Sequence, residues 1–244
     1  SGGQEFAFLT DLSIDGNQQG GAVVTVAAVD FVSVFITTFV DDVIVRNSSA
    51  VGLRFAARHG LGPVRVTNAW VLNSIGHNVL IEEEAGNTDG VFGICADGLW
   101  SENSGPGTSA IYLKGRGHAA QWSFRTVHIE QGTAAAGRTG ITIDGVPLVL
   151  VDGAQILQGA TPLGAGIRIT NVPDNTGIQI RGVINPNLAN PILEDLFSLV
   201  TYGARIIDFY VSAGVVLQGA TLIGSGDRAA PPSTGEHFAG EVVF

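Results

Sequence analysis

The 244-residue chain carries 12 Lys plus Arg against 22 Asp plus Glu, a formal net charge of −10, with 45% hydrophobic and only 14% charged residues. A chain so apolar and so sparsely charged is not disordered, its acidic balance disfavours nucleic acid and anionic membranes as partners, and no apolar run approaches the ~20 residues of a membrane-spanning helix. With 34 Gly, abundant β-branched residues and a lone cysteine, Cys95, that leaves no intramolecular disulfide, the composition points to an all-β chain.

In chain order, residues 1–5 read as a processing or tag-trimmed remnant, since the chain opens Ser1-Gly2-Gly3 and holds no Met; the natural protein is expected to be longer. From residue 6 a repeat takes over. The frame apolar–x–apolar–x–amide–small occurs as Val43–Ser48, Ala69–Ser74, Leu99–Ser104, Val127–Gly132 and Ala154–Gly159. Its amides, Asn47, Asn73, Asn103, Gln131 and Gln158, are spaced by 26, 30, 28 and 27 residues. Each frame is followed by a second short alternating segment: Gly52–Phe55, Asn78–Ile81, Ala110–Leu113, Gly140–Ile143 and Gly166–Ile169. A third precedes it, as in Val64–Val66, Trp122–Phe124 and Val149–Val151. Three short strands per repeat, joined by Gly, Asn, Ser and Thr turns, leave no room for helices. They predict a parallel β-solenoid of about 26–30 residues per coil, each coil rising ~4.8 Å.

The amide column is expected to be structural. Stacked at one corner, each side-chain carbonyl can accept from the amide on the next coil and so satisfy buried polar groups. Coils are expected over residues 6–183. Residues 184–203, with Pro186 and Pro191 and a helix-like stretch, read as an irregular or capping insertion, residues 204–225 as one or more terminal coils, and residues 226–244, "GDRAAPPSTGEHFAGEVVF", as a linker toward a further module.

Side-chain alternation sorts the frame into inward first and third positions and outward second and fourth positions. The second-position column reads Ile44, Trp70, Trp100, His128, Gln155, and the fourth Arg46, Leu72, Glu102, Glu130, Leu157. Trp70 and Trp100 are therefore expected side by side on the outside with His128 beside them, while Trp122 and Phe124 fall on the inward phase. Indole faces suit sugar rings, a partner subunit or a covering loop. Glu102 and Glu130 on adjacent rungs, ~5 Å apart, are expected to split their pKa values into an acid and a base. Such a pair fits glycoside hydrolysis, and long Glu side chains can adopt either the retaining or the inverting separation. It fits plain solvated surface equally. Asp97 and Arg125, one coil apart, can hold a uronate or pair with each other. Tyr112, outward on the next strand, is grouped with the tryptophans. No cofactor or metal is expected, because His118 and His128 are not spaced from Cys95 as zinc ligands.

The coil pattern, with "LSIDGN" (12–17) and "VRVTNAWVLNS" (64–74), resembles the right-handed parallel β-helix of the pectate-lyase superfamily. The tail "APPSTGEHFAGEVV" (230–243) is similar to the segment that follows the β-helix in phage tailspike-type proteins. The resemblance implies a homotrimer on a virion or outside the cell that binds, and in some members cuts, a bacterial surface polysaccharide. The fold also hosts secreted monomeric hydrolases and lyases, and inert spacers; the scatter of the 12 basic residues speaks against a lyase. "NTDG" at 87–90 resembles the first polygalacturonase motif, but it lies a strand late. "GRGH" at 115–118 departs from Gly-His-Gly, so Asp89 is read as a turn residue with Gly90 supplying backbone freedom.

Overall fold

Apolar side chains at every second position can be buried on one side of a strand only, and the chain satisfies this by winding. In the computed structural model, which describes residues 6–21, 23–34, 37–91, 93–116, 118, 121–132, 137–159, 161, 163–171, 177–184, 192–194 and 206–211, the one helical element among the described residues is a 3-10 turn at Gln18–Gly20. The first coils comprise β1 (Phe6–Asp15), β2 (Ala27–Val32), β3 (Thr37–Arg46) and β4 (Val51–Ala57). Three coils of three strands follow: β5 (Val64–Thr67), β6 (Trp70–Leu72), β7 (Val79–Glu83); β8 (Ile94–Asp97), β9 (Trp100–Glu102), β10 (Ser109–Lys114); and β11 (Trp122–Arg125), β12 (His128–Gln131), β13 (Thr139–Asp144). A fourth contains β14 (Leu148–Asp152), β15 (Gln155–Gln158) and β16 (Ala165–Thr170); then come β17 (Gly177–Ile184), β18 (Ile192–Glu194) and β19 (Ile206–Val211).

Every pairing joins equivalent strands of neighbouring coils in parallel, giving a β-solenoid of about six turns. One sheet holds the column β3-β5-β8-β11-β14-β17-β19 and, continuing from the other half of the long β3, the column β3-β6-β9-β12-β15. The second sheet runs β2-β4-β7-β10-β13-β16-β18. The ladder Val64↔Ile94↔Trp122↔Val149↔Ile178 fixes the register of the first column. Leu53↔Val79↔Ile111↔Ile141↔Ile167 does so for the second sheet. These side chains are 0–2% exposed, and each contributes about 1.5–3 kcal/mol of burial. The core is a continuous apolar column with Trp122, Phe55 and Phe124 fully buried in it.

Two corners shape the first sheet. Between its columns, one residue per coil adopts a left-handed backbone: Asp42 (φ 51°), Asn68 (φ 49°), Gly98 (φ 69°), Thr126 (φ 51°) and Gly153 (φ 73°). The inward positions flanking each are three apart, as in Val40/Val43, Val66/Ala69, Ala96/Leu99, Phe124/Val127 and Val151/Ala154, all buried. A second corner falls at Asn47 (φ 55°), Asn73 (φ 57°) and Asn103 (φ 51°), left-handed positions that Asn tolerates better than other residues with a Cβ.

The amide column thus exists as a column, and its asparagines serve first through their backbone. Asn47 donates to the Asp15 carboxylate at 3.2 Å. Gln131, 1% exposed, turns inward, accepting from the Ser104 N–H and donating to the Ser104 hydroxyl. Gln158 Oε1 accepts from the Leu163 N–H at 3.2 Å. In these three cases the amide bonds a carboxylate, a serine or a backbone group. In the span read as an insertion, Ile192–Glu194 pairs with β16 in the coil register. The rest of 185–205, and 212–244 with the expected linker, lies outside the described residues.

Candidate functional site

The outward side of β6, β9 and β12 forms the expected ladder. Register partners Trp70↔Trp100↔His128 bring three rings together, at centroid separations of 5.6 Å and 3.9 Å and tilts of 41° and 42°. Trp70 and Trp100 are 39% and 41% exposed, the only exposed tryptophans. They stand out because the inward partners Val71, Ser101 and Ile129, all 0% exposed, fill the core side of the same strands. His128 Nδ1 lies 2.9 Å from Gln155 Oε1, while Nε2 has no hydrogen-bond partner and lies 3.8 Å from a Glu130 oxygen.

Beside the rings, Leu72↔Glu102↔Glu130 are register partners. Both carboxylates project outward from adjacent rungs, Glu130 exposed and Glu102 half-buried. The strand beneath Glu102 is fixed from inside: the buried Asn78 donates from Nδ2 to the Glu102 carbonyl at 2.6 Å and to Ser101 Oγ at 3.0 Å, and accepts from the Ser74 N–H. Asp97 and Arg125 are register partners in the neighbouring column, both exposed. Among the described residues no ion pair joins them.

Tyr112 does not belong to this group. It lies on β10 in the second sheet, its ring tilted 35° against that of His77 at 4.6 Å, and its hydroxyl donates to Asp144 Oδ2 at 2.6 Å. Burial foremost, and then that carboxylate, push the phenol well above its ordinary range. The loop at 87–90 also differs in detail. Asn87, 5% exposed, makes the turn's side-chain bonds, accepting from the Gly60 N–H at 2.9 Å and donating to the Asp89 carbonyl at 3.0 Å, while Asp89 is exposed. The left-handed glycine here is Gly86 (φ 86°) rather than Gly90.

Two features of the second sheet went unread. Arg54 bridges coils, bonding Glu82 (2.8 Å), Asp30 (3.1 Å) and Glu84 (2.5 Å). Farther along, a surface groove of about 460 Å³ is lined by residues that include His77, Ser109, Tyr112, Thr142, Arg168 and Thr170. The signal was in the sequence: Arg54, Leu80, Tyr112, Thr142 and Arg168 occupy one outward position, the third of the segment that follows each amide, and are register partners. No protein-family model, curated protein or solved structure matches the chain.

Proposed function

We propose that this chain is part of a pectate-lyase-type β-helix of the phage tailspike kind, displayed on a virion or outside the cell, whose outward aromatic ladder binds a bacterial surface polysaccharide. The observation that carries the reading is the run Trp70–Trp100–His128, three ring systems on successive coils with both indoles open to solvent. Flat apolar faces edged by N–H donors match the alternating C–H and O–H surfaces of pyranose rings. Their spacing along the solenoid favours an extended polymer over a small ligand. A homotrimer is part of the proposal, and in it the ladder must remain reachable from outside.

Glu102 and Glu130, in register beside the ladder, favour a second reading in which the bound glycan is also hydrolysed, with one carboxyl as acid and the other as base or nucleophile. The test is retention on immobilised capsular and lipopolysaccharide glycans, with the solution mass measured in parallel. Trp70→Ala and Trp100→Ala are expected to weaken retention at least tenfold with the mass unchanged. Undiminished retention by both variants, or their collapse from trimer to monomer, would replace glycan contact with a structural or interface role. Release of reducing ends by wild type but not by Glu102→Gln or Glu130→Gln would establish hydrolysis.

A further inference from the structure

We infer that the occupant of the aromatic ladder is an amino sugar, a polysaccharide whose residues carry free, positively charged amines. The inference rests on the glycan reading above and specifies the substrate class of the same site, the outward side of β6, β9 and β12.

The outward positions of these strands are Trp70 and Leu72, Trp100 and Glu102, His128 and Glu130. Apart from ring N–H groups, the polar chemistry of this strip is π faces and carboxylate oxygens. A carboxylate accepts and does not donate, and the face of an indole is the negative side of its quadrupole. Both attract a cation, so an ammonium held between them gains from each. The carboxylates are not spent inside the protein. Among the described residues the Glu102 carboxylate has no hydrogen-bond or ion-pair partner; the Asn73 N–H and the Asn78 amide bond its main-chain carbonyl instead. Glu130 has His128 Nε2 at 3.8 Å, too long for a hydrogen bond. That ring turns Nδ1 toward Gln155 Oε1, an acceptor, which places the proton on Nδ1 and leaves Nε2 nothing to donate to Glu130.

Charge separates the sugar classes. In a protein of net charge −10, a uronate or phosphate on the ladder would face Glu102 and Glu130. The arginines flanking the strip are already answered by acidic groups. Arg46, level with Leu72, ion-pairs with Asp15 at 3.0 Å. Arg125, across the corner from His128, stands in register between Asp97 and Asp152. A neutral sugar can stack on the indoles and donate hydroxyls, but it covers the half-buried Glu102 without returning a charge for the water it displaces. An ammonium returns that charge. A lysine-rich peptide carries the same cation, yet it lacks the ring faces that two indoles 5.6 Å apart on successive coils can stack against. Acetylating the amine removes its charge and keeps the ring, so free and acetylated forms of one sugar isolate the effect.

The test is indole NMR of the full chain at neutral pH and low salt, titrated separately with the tetrasaccharide of D-glucosamine, the tetrasaccharide of N-acetyl-D-glucosamine and tetralysine. The glucosamine tetramer is expected to shift the Trp70 and Trp100 indole signals saturably, at least tenfold more tightly than the other two, with buried Trp122 as the reference. Glu102→Gln combined with Glu130→Gln should bring the two tetrasaccharides to equal affinity, and Glu130→Asp should keep part of the preference. Spectra of the variants report directly whether they fold. Equal affinity of wild type for the two sugars, silence of both indoles, or a preference that survives the double Gln change would each overturn the proposal. A response to tetralysine as tight as that to the amino sugar would overturn it too, in favour of a peptide site. Retention on the immobilised glycans alongside any of these results leaves the glycan reading standing and removes only the amine; loss of retention as well removes both.

Discussion

The imidazole of His128 lies 3.9 Å from the indole of Trp100, ring centre to ring centre, on the neighbouring coil, and Trp70 covers the other side of that indole at 5.6 Å. The stack stands on the outside of strands whose inner faces are fully buried, so its rings add little to the core. Trp122, two residues from an equally buried Phe124, is 0% exposed in the middle of it. The same substitution should therefore have opposite consequences at the two positions. Trp100→Ala is expected to cost about 1 kcal/mol of stability, the value of an exposed aromatic pair, and to remove binding. Trp122→Ala should cost about 3–5 kcal/mol. Trp122→Phe should cost less, since the Trp122 Nε1–H is buried without an acceptor and its removal relieves an unsatisfied donor. Urea melts of the three variants check this.

How far the sequence could be read follows from what each feature requires. Burial demands a residue class, and a class leaves a periodic trace: Val43/Val45, Val71, Leu99 and Val127/Ile129 showed the inward phase, and with it the outward place of Trp100 and Glu102. The left-handed corners demand only a backbone angle. Asp42, Asn68, Gly98, Thr126 and Gly153 meet that demand with four residue types, so no column of letters betrays them, although the apolar–x–x–apolar spacing around them was visible. The amides at 47 and 131 look alike in sequence. Asn47 sits at φ 55°, whereas Gln131 ends a strand and points in, a distinction that needs coordinates. Tyr112, outward on the next strand as its phase indicated, was grouped with the tryptophans but lies on the other sheet, because alternation gives a phase and not the direction in which a coil has turned.

Arg54 is the clearest case where a single side chain ties coils together. Its side chain is 9% exposed and meets Asp30, Glu82 and Glu84 on strands or turns of the preceding and following coils. Burial opposes its charge, and the bonds to Glu84 and Glu82 outweigh that, holding the guanidinium above its ordinary range. Removing the cation leaves Asp30 and Glu82 without it in a partly buried place, beside a Glu84 that Arg58 still bonds at 2.7 Å. Arg54→Met is expected to lose about 3–5 kcal/mol, most of it recoverable by pairing the change with Glu82→Gln and Glu84→Gln. A double- and triple-mutant series in denaturant would show that recovery, and purely additive losses would refute it.

Thr126 carries backbone strain at the corner between the two columns. A β-branched residue at φ 51° is costlier there than the Asn or Gly that its counterparts Asn68, Gly98 and Gly153 provide, by about 1–2 kcal/mol. Thr126→Asn is expected to raise stability by about 1 kcal/mol. Thr126→Gly should gain less, because glycine also loosens the unfolded chain. The Thr126 side chain is exposed, so neither change opens a cavity. An increase in urea midpoint at constant slope is the predicted signature.

His77 sets the pH response of the second sheet. Burial, its largest influence, lowers the imidazole below its ordinary 6.5 despite the Ser109 backbone and the Glu82 charge, which act the other way. On acidification the unfolded chain therefore takes up this proton before the folded one does. The contribution is complete above about pH 6.5, falls as pH drops toward the folded-state value, and levels off below it. One site cannot impose a slope steeper than about 1.4 kcal/mol per pH unit. Melting wild type and His77→Gln at steps from pH 7.5 to 5 should give curves that converge as pH falls, with the wild type losing more.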